Sequence, residues 1–310
     1  MTILVGSASW ADKGMIACGR FYPPGTNSAE ARLRYYASRF PLVEVDSSYY
    51  AMPSVRNAEL WAQRTPNDFV MNIKAFRLLT NHQTDASMLP ADLQIALGPH
   101  APRPLYYRQV PQEIRAEVWR RFIEALAPLK AAGKLGVAVF QFPPWLVNNR
   151  EGRAHVAHCV EQMEGHRVAV EFRHPSWFHD AARAATLEFE RSLGAINVVV
   201  DSPQGLNNSV PQVWEATDDS LAVVRMHGRN AASWTPRTLA PRAGRFNYEY
   251  DERELSGIAG RIVELARQVK DVHVALNTNH EDQGVRNARR LIRVLEGDAA
   301  ARAALKPPLI

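Results

Sequence analysis

The sequence predicts an α/β protein whose fold is a single (β/α)8 TIM-type barrel. Short β-branched runs alternate with longer segments of helical periodicity, as in successive parallel β/α units. Eight such runs occur in 310 residues, and a closed eight-stranded barrel uses this number of strands at this length. An open doubly wound sheet would give a similar alternation. We expect residues 1–310 to form one barrel domain.

Apolar segments rich in Val, Ile and Ala supply the predicted strands. Their continuous apolar character is typical of parallel strands that are buried on both faces. They are Ile3–Ser7, Val43–Asp46, Phe69–Lys74, Leu135–Gln141, Val168–Glu171, Ala195–Val200, Ala222–Met226 and Val272–Leu276.

The helices are predicted from apolar stripes and from residues that can end a helix. Asn27, with Glu30 three residues later, has the pattern of a capping box. A helix that begins near Ser54 should end near Arg64, because Pro66 disfavours helical geometry at the residue before it. Further amphipathic stripes cover residues 114–129, 156–163, 255–269 and 285–295.

Two proline-containing segments interrupt the alternation. Residues 78–112 carry five prolines, and residues 231–250 carry two prolines and a glycine. Long connections of this kind are usually functional in compact domains. We expect both to form loop excursions at the C-terminal face of the barrel.

Composition excludes several classes of protein. With 46% hydrophobic and 22% charged residues, the chain can bury a large core and is not expected to be disordered. It lacks an apolar run of the roughly 20 residues that cross a bilayer, and its first residues do not resemble a signal peptide. We therefore expect a cytoplasmic protein with no membrane partner.

The cysteines and the net charge carry weaker information. Cys18 and Cys159 are far apart and lack Cys-x-x-Cys spacing, which supports neither a disulfide framework nor a thiolate zinc site. The formal charge of +5 permits an anionic partner but is also common in proteins that are simply soluble.

Polar residues cluster where the predicted strands end, which is where barrels of this class place binding and catalytic groups. Many are spaced two residues apart and so share one face of a strand. They include Glu44, Asp46, Asn72, Lys74, Gln141, Glu171, Arg173, Asp201, Arg225, His227, Asn277 and Asn279. Burying an unpaired ion costs several kcal/mol, so these charges must be paired, hydrated or functional.

Two interpretations of this cluster stay open. In the structural one, the charges neutralise each other, for example Glu171 with Arg173 or Arg225. In the functional one, Glu171, His227 and Asp46 transfer protons. The ligand-binding residues would then be Lys74, Arg173, Arg225, Arg229, Asn277, Trp10 and Tyr49, with the two aromatic rings stacking on a base or sugar or else capping the core.

No motif identifies a cofactor. Gly-x-Ser-x-Gly and Gly-x-Gly-x-x-Gly are absent, so serine hydrolysis and dinucleotide binding are not supported. Oxygen and imidazole ligands for zinc or manganese could come from Glu171, His174, Asp201, His227 and His280. Because no His-Glu-x-x-His or comparable motif is present, we assign no metal ligands, and a divalent metal stays an open alternative.

Several ordered motifs resemble the domain-of-unknown-function 72 (YecE-like) family. They are Val5-Gly6-Ser7-Ala8-Ser9-Trp10, Phe21-Tyr22-Pro23, Val43-Glu44-Val45-Asp46-Ser47-Ser48-Tyr49-Tyr50, Gln141-Phe142-Pro143-Pro144, Val170-Glu171-Phe172-Arg173-His174-Pro175-Ser176-Trp177 and Val224-Arg225-Met226-His227-Gly228-Arg229. The chain departs from the family pattern at Ser7-Ala8-Ser9, where Thr-Ser-Gly is common. It also has Asn277-Thr278-Asn279 where the family has a Phe-Asn-Asn run, which leaves open which asparagine faces the site.

The resemblance implies a TIM-type barrel and no settled reaction. Its architectural similarity to the endonuclease IV and xylose isomerase barrels suggests nucleic acid or a sugar phosphate by analogy. Our first hypothesis is an enzyme that acts on a phosphate-bearing substrate, with nucleic acid among the candidates. The alternative is a non-catalytic protein that binds nucleic acid or a phosphorylated ligand. The expected partner is an anionic small molecule or nucleic acid, and the sequence does not indicate the oligomeric state.

Overall fold

Eight parallel strands form a closed barrel in the computed structural model, which describes residues 1–99, 102–179, 181–234, 244 and 246–307. The strands are β1 Thr2–Ser7, β2 Leu42–Val45, β3 Val70–Lys74, β4 Leu135–Gln141, β5 Val168–Glu171, β6 Ile196–Asp201, β7 Leu221–Met226 and β8 Asp271–Leu276. Each strand pairs with the next, and β8 pairs with β1 to close the ring. The predicted fold class is confirmed, and each predicted strand end lies within one residue of its observed position.

Helices occupy most of the connections between the strands. The described ones are α1 Lys13–Ala17, α2 Ala29–Ala37, α3 Ser47–Tyr50, α4 Val55–Gln63, α5 Ala91–Leu97, α6 Gln112–Ala131, α7 Arg150–Gln162, α8 Ala182–Ser192, α9 Ala231–Trp234, α10 Glu252–Ala266, α11 Gln283–Gly297 and α12 Ala299–Ala304. Short 3-10 helices cover Ala86–Met88, Tyr107–Gln109 and Pro175–Trp177.

One helix begins a residue later than the sequence suggested. Ser28, not Asn27, is the N-cap of α2, and its hydroxyl accepts a hydrogen bond from the backbone of Ala31. Glu30 pairs with Arg34 one turn later in the helix. Serine and asparagine are almost equally good caps, so the local sequence does not decide between two adjacent candidates.

The two predicted excursions both follow the C-terminal ends of strands. The first contains α5 and two 3-10 turns, and a backbone bridge joins Thr84 to Leu105. The second begins with α9, but most of its remaining residues, 235–243 and 245, lie outside the described residues. Both therefore stand at the end of the barrel where the polar residues collect.

The barrel interior combines an apolar layer with a buried polar pair. His273 Nδ1 lies 3.0 Å from the Asn72 side-chain oxygen. Gly136 makes room for this pair, because a Cβ there would lie 2.2 Å from that oxygen. Burial lowers the pKa of His273 to about 3, so the ring is neutral and its Nδ1–H donates to Asn72.

Helix α8 carries a buried carboxyl group without a hydrogen-bond partner in the portion that the structure describes. Glu190 on α8 is fully buried, and neither carboxylate oxygen has a hydrogen-bond partner among the described residues. Burial raises the pKa of Glu190 well above its ordinary value.

Cys18 and Cys159 are both free thiols. Within the described part of the chain, no helix has the length and apolar character needed to cross a membrane.

Candidate functional site

Arg225 lies at the centre of a buried ion network that crosses the barrel. It extends from β7 and donates from Nε and Nη2 to the two carboxylate oxygens of Glu44 on β2, at 2.8 and 2.5 Å. Its Nη1 donates to Glu171 on β5 and, at 3.1 Å, to the side chain of Gln141 on β4. Arg225, Glu44 and Glu171 are fully buried. Burial disfavours the guanidinium charge, but the two carboxylates still raise the pKa of Arg225 above its ordinary value.

Arg173, two residues beyond the end of β5, forms the outer part of this network. Its Nε pairs with Glu171, and its Nη2 lies 2.9 Å from His227 Nε2 and 3.3 Å from Gln141 Oε1. Burial would raise the pKa of Glu171, but Arg173 and Arg225 hold it well below its ordinary range. Glu171 is therefore an ionised anchor shared by two cations, and the Arg173 side chain is 13% exposed.

His227 is a neutral imidazole within the same network. Burial and the neighbouring Arg173 lower its pKa to about 3. Nε2 lies 3.3 Å from Glu171, but its contact with Arg173 is shorter, and a guanidinium can only donate. Nε2 therefore accepts from Arg173, and the ring proton sits on Nδ1.

The tautomer of His227 determines the orientation of Asn277. The side-chain nitrogen of Asn277 lies 2.8 Å from His227 Nδ1, while its oxygen has no partner among the described residues. Turning the amide by 180° lets Nδ1–H donate to the oxygen, so we adopt that orientation. Asn277 is buried and Asn279 is partly exposed. Asn277 is thus the asparagine that faces the network.

Glu171, Arg173, Arg225 and His227, from the C-terminal ends of β5 and β7, belong to one network: Glu171 contacts the other three, and Arg173 also contacts His227. Period-two spacing along β5 and β7 was the signal that predicted this group. The sequence did not pair Arg225 with Glu44, whose strand lies across the ring and distant in sequence. That contact depends on barrel closure, which local spacing does not report.

Lys74, Asp46 and Tyr49 form a second group at the ends of β2 and β3. Lys74 Nζ donates to Asp46 at 2.6 Å and lies 4.4 Å from the centroid of the Tyr49 ring. Lys74 is buried, whereas 15% of the Asp46 side chain is exposed. The Arg77 guanidinium lies 5.2 Å from the same tyrosine ring.

Arg229 belongs to a third group around Asp201, the last residue of β6. Its guanidinium donates to Asp201 at 2.7 Å and to Glu254 at 3.1 Å. The Tyr250 hydroxyl donates to Asp201 at 2.5 Å, and Gln212 donates to it at 2.6 Å. Burial and the adjacent carboxylate raise the pKa of Tyr250 well above its ordinary value, so its hydroxyl keeps its proton.

Trp10 packs in the hydrophobic core. Its ring is 7% exposed and packs edge-on against Trp61, with the ring centroids 5.5 Å apart. The side chain belongs to the apolar core between strands and helices.

A cavity of about 300 Å³ opens above β4, β5 and β6, and we call it the mouth cavity. It is lined by Gln141, Pro144, Arg173, Val200, Ser202, Asn208, Val210, Trp234 and Phe246. Arg173 supplies the charge among these lining residues, and its guanidinium lies 6.0 Å from the Trp234 ring centroid. Trp234 and Phe246 were missed from sequence because they lie in an excursion without periodicity. Of the lining residues missed from sequence, Ser202 could have been found, because it lies two residues beyond Val200 and so shares its face of the chain.

The residues considered as metal ligands do not assemble into a site. Within the described ranges, no group of three or more His, Cys, Asp or Glu side chains is placed to hold a metal ion. Asp201 and Glu171 are instead bound by arginines, and His227 contacts Arg173.

Comparison with known proteins places the chain among relatives of the same architecture. The sequence profile described as "Protein of unknown function DUF72" matches residues 4–309. UPF0759 protein YunF of Bacillus subtilis (strain 168) is 33% identical over 300 residues, which cover 95% of each chain. The solved structure of the DUF72 family protein EF0366 from Enterococcus faecalis V583 matches with a TM-score of 0.76 at 25% identity, covering 95% of this chain and 96% of that one.

The structure of the DUF72 family protein TM1631 from Thermotoga maritima MSB8 matches with a TM-score of 0.74 at 27% identity, covering 96% of this chain and all of that one. These names give a family and a fold and do not specify a reaction. The match over nearly the whole chain agrees with the motifs found in the sequence. The chain therefore belongs to the DUF72 family.

Proposed function

We propose that the chain is an enzyme that acts on a small phosphate-bearing substrate, with a nucleotide unit of nucleic acid among the candidates. The observation that carries this proposal is the placement of Arg173, whose guanidinium lines a 300 Å³ cavity at the C-terminal end of the barrel. Cavities of this size, largely apolar with a few fixed polar groups, are typical of small-molecule sites.

Arg173 is well placed to bind a phosphate. Glu171 holds its Nε, so the guanidinium is oriented before a ligand arrives. Its Nη2 lies within hydrogen-bond distance of two neutral acceptors, on His227 and Gln141. A phosphate could displace these weaker contacts and form charge-assisted hydrogen bonds. Ser202 and Asn208 would add polar contacts, while Trp234 and Phe246 would pack against the rest of the substrate.

Phosphate binding would also prepare His227 for proton transfer. Arg173 is one of the groups that lower the pKa of His227. A dianion at Arg173 would offset this repulsion, raise the pKa of His227 and free Nε2 from its hydrogen bond. A histidine with a pKa nearer the working pH is a better general base. Glu171 would hold Arg173 and stabilise the protonated ring, and Arg225 would hold Glu171.

The remaining candidates have secondary roles in this proposal. Lys74 and Arg229 already bind Asp46 and Asp201, so each would contact substrate only by giving up a carboxylate. Asp46 retains some exposure and is the second candidate for proton transfer. Tyr49, beneath Lys74, would position that cation. We place the activity in the cytoplasm, a proposal that two free thiols fit.

One observation favours the alternative of binding without chemistry. Glu171 and His227 are fully buried and are not among the residues that line the mouth cavity. Proton transfer to substrate thus requires Arg173 to move aside when phosphate binds. If it does not move, the cavity binds a phosphorylated ligand and leaves it unchanged.

Replacing Arg173 with methionine is expected to weaken binding of phosphate esters by roughly tenfold to a hundredfold, because a hydrogen bond to a charged group contributes about 1.5–3 kcal/mol. The fold should survive, since Glu171 keeps its contact with Arg225. The measurement is calorimetric binding of a panel of phosphate monoesters and short oligonucleotides, together with their turnover.

The matched control is Arg183→Met, which removes an exposed arginine from a surface pair with Glu215. Turnover that is lost with Arg173 supports the enzyme, and binding without turnover supports the alternative. Equal affinities in wild type and Arg173→Met would refute both.

A further inference from the structure

A second recess lies on the outside of the barrel, between the segment that follows β6 and helix α10. Its volume is about 290 Å³, and we call it the lateral groove. Its walls include Gln212, Trp214, Arg229, Arg253, Gly257 and Arg261. None of the residues that line the mouth cavity belongs to this set.

Two arginines in the lateral groove are free to meet an anion. Arg253 and Arg261 lie eight positions apart on α10, so they are on neighbouring parts of one helix face. Both are exposed, and neither forms an ion pair with another described residue. Glu254 also lines the groove, and its carboxylate is bound by Arg229 and by the Tyr248 hydroxyl. The groove therefore presents two arginines without an ion pair to a described residue, Arg253 and Arg261, beside the paired Arg229 and Glu254.

Gly257 lies midway between these two arginines in the helix. A Cβ added there would meet no atom within 4 Å. A glycine inside a helix is less favourable than alanine, and this one has no positive φ that would require it. What it leaves is open space on the helix surface at the position midway between Arg253 and Arg261 in the sequence.

Trp214 forms the opposite wall and offers a planar surface. The Arg261 guanidinium lies 5.7 Å from its ring centroid, and its indole nitrogen donates to Gln212 at 3.4 Å. The tryptophan is partly exposed. Aromatic rings flanked by arginine are the surfaces on which nucleobases stack.

We propose that the lateral groove binds a nucleotide phosphate ester, with the phosphate between Arg253 and Arg261 over Gly257 and the base against Trp214. This site goes beyond the proposed function, because it uses none of the mouth-cavity residues. The two sites are nevertheless adjacent in the fold. Gln212 and Arg229 both bind Asp201, whose sequence neighbours Val200 and Ser202 line the mouth cavity.

The test measures binding of a fluorescent adenosine monophosphate to the Arg173→Met protein, in which binding at the mouth cavity is expected to be weakened. In that background, Gly257→Glu should weaken binding roughly tenfold or more, because it places a like charge between the phosphate contacts. Gly257→Ala is the matched control and should bind as the parent does. Gly257 is exposed in a helix, and melting curves check that each of its two variants folds.

Three phosphate-bearing ligands are compared to identify which kind of molecule the lateral groove binds. Inorganic phosphate, the mononucleotide and a short single-stranded oligonucleotide are compared, and the tightest binder identifies the source. Arg253→Gln should reduce the slope of log affinity against log salt by about one. Absence of binding by all three, or equal affinity of Gly257→Glu and Gly257→Ala, would overturn the proposal. Failure of the mouth-cavity proposal would instead appear as identical binding by wild type and Arg173→Met.

Discussion

Replacing Arg225 with methionine is expected to lower the free energy of unfolding by about 3–5 kcal/mol, the usual cost of leaving a buried charge without its partner. The guanidinium binds both Glu44 and Glu171 in a fully buried position. Glu171 keeps a second cation, Arg173. Glu44 has no other cation within ion-pair distance among the described residues, so it carries most of the loss. Chemical denaturation at neutral pH measures the effect.

The second-site control distinguishes the two carboxylates. Adding Glu44→Gln to Arg225→Met should restore more stability than adding Glu171→Gln, because the first change removes the carboxylate that is left alone. Such a rescue would assign Arg225 to holding the fold rather than to contacting a ligand. A variant with near-normal stability and lost ligand binding would show instead that Arg225 is held for the ligand.

Acid is expected to destabilise the protein from about pH 6.5 downward. His227 and His273 both have a pKa lowered to about 3. As the pH falls below the ordinary histidine pKa, these two histidines become protonated in the unfolded chain but stay neutral in the folded chain. Each histidine then costs about 1.4 kcal/mol per pH unit until its folded pKa is reached. Glu190 acts in the opposite sense, because its raised pKa makes the folded state relatively more stable as the pH falls.

His273→Gln tests this acid response without altering the mouth cavity. A glutamine side chain is neutral at every pH and carries N–H groups, so we expect it to supply a donor to the Asn72 oxygen in place of the imidazole. Between pH 6.5 and 4, the free energy of unfolding of the His273→Gln variant should fall less steeply with pH than that of the wild type. The difference in slope should correspond to about one bound proton. Urea unfolding as a function of pH gives both slopes, with the exposed His179→Gln as the control. Parallel curves for wild type and His273→Gln would contradict the assignment.

The fold was predictable because its signals are local and repeated. Runs of Val and Ile mark parallel strands that are buried on both faces, and their number and spacing fit a closed ring. The polar residues at the strand ends could also be predicted, because residues spaced two apart, such as Glu171 and Arg173, share one face of a strand. Where two equally good caps are adjacent, as at Asn27 and Ser28, the sequence could not choose.

The partners of the site residues were less predictable. Arg225 meets Glu44 only because the barrel closes, and the sequence offered Glu171 as the nearer candidate. The sequence also could not show that Lys74 and Arg229 are held by carboxylates, whereas Arg173 lines a cavity. Such distinctions depend on tertiary contacts rather than on residue type or spacing.

The most direct test of the central claim follows the ring nitrogens of His227 by ¹⁵N NMR while a phosphate monoester is added. Without ligand, we expect a neutral ring with the proton on Nδ1 and Nε2 hydrogen-bonded to Arg173. Binding of phosphate at Arg173 should shift the Nε2 resonance with the same dissociation constant that calorimetry gives, and Arg173→Met should abolish the shift. A His227 resonance that stays unchanged at saturating phosphate ester would contradict the claim.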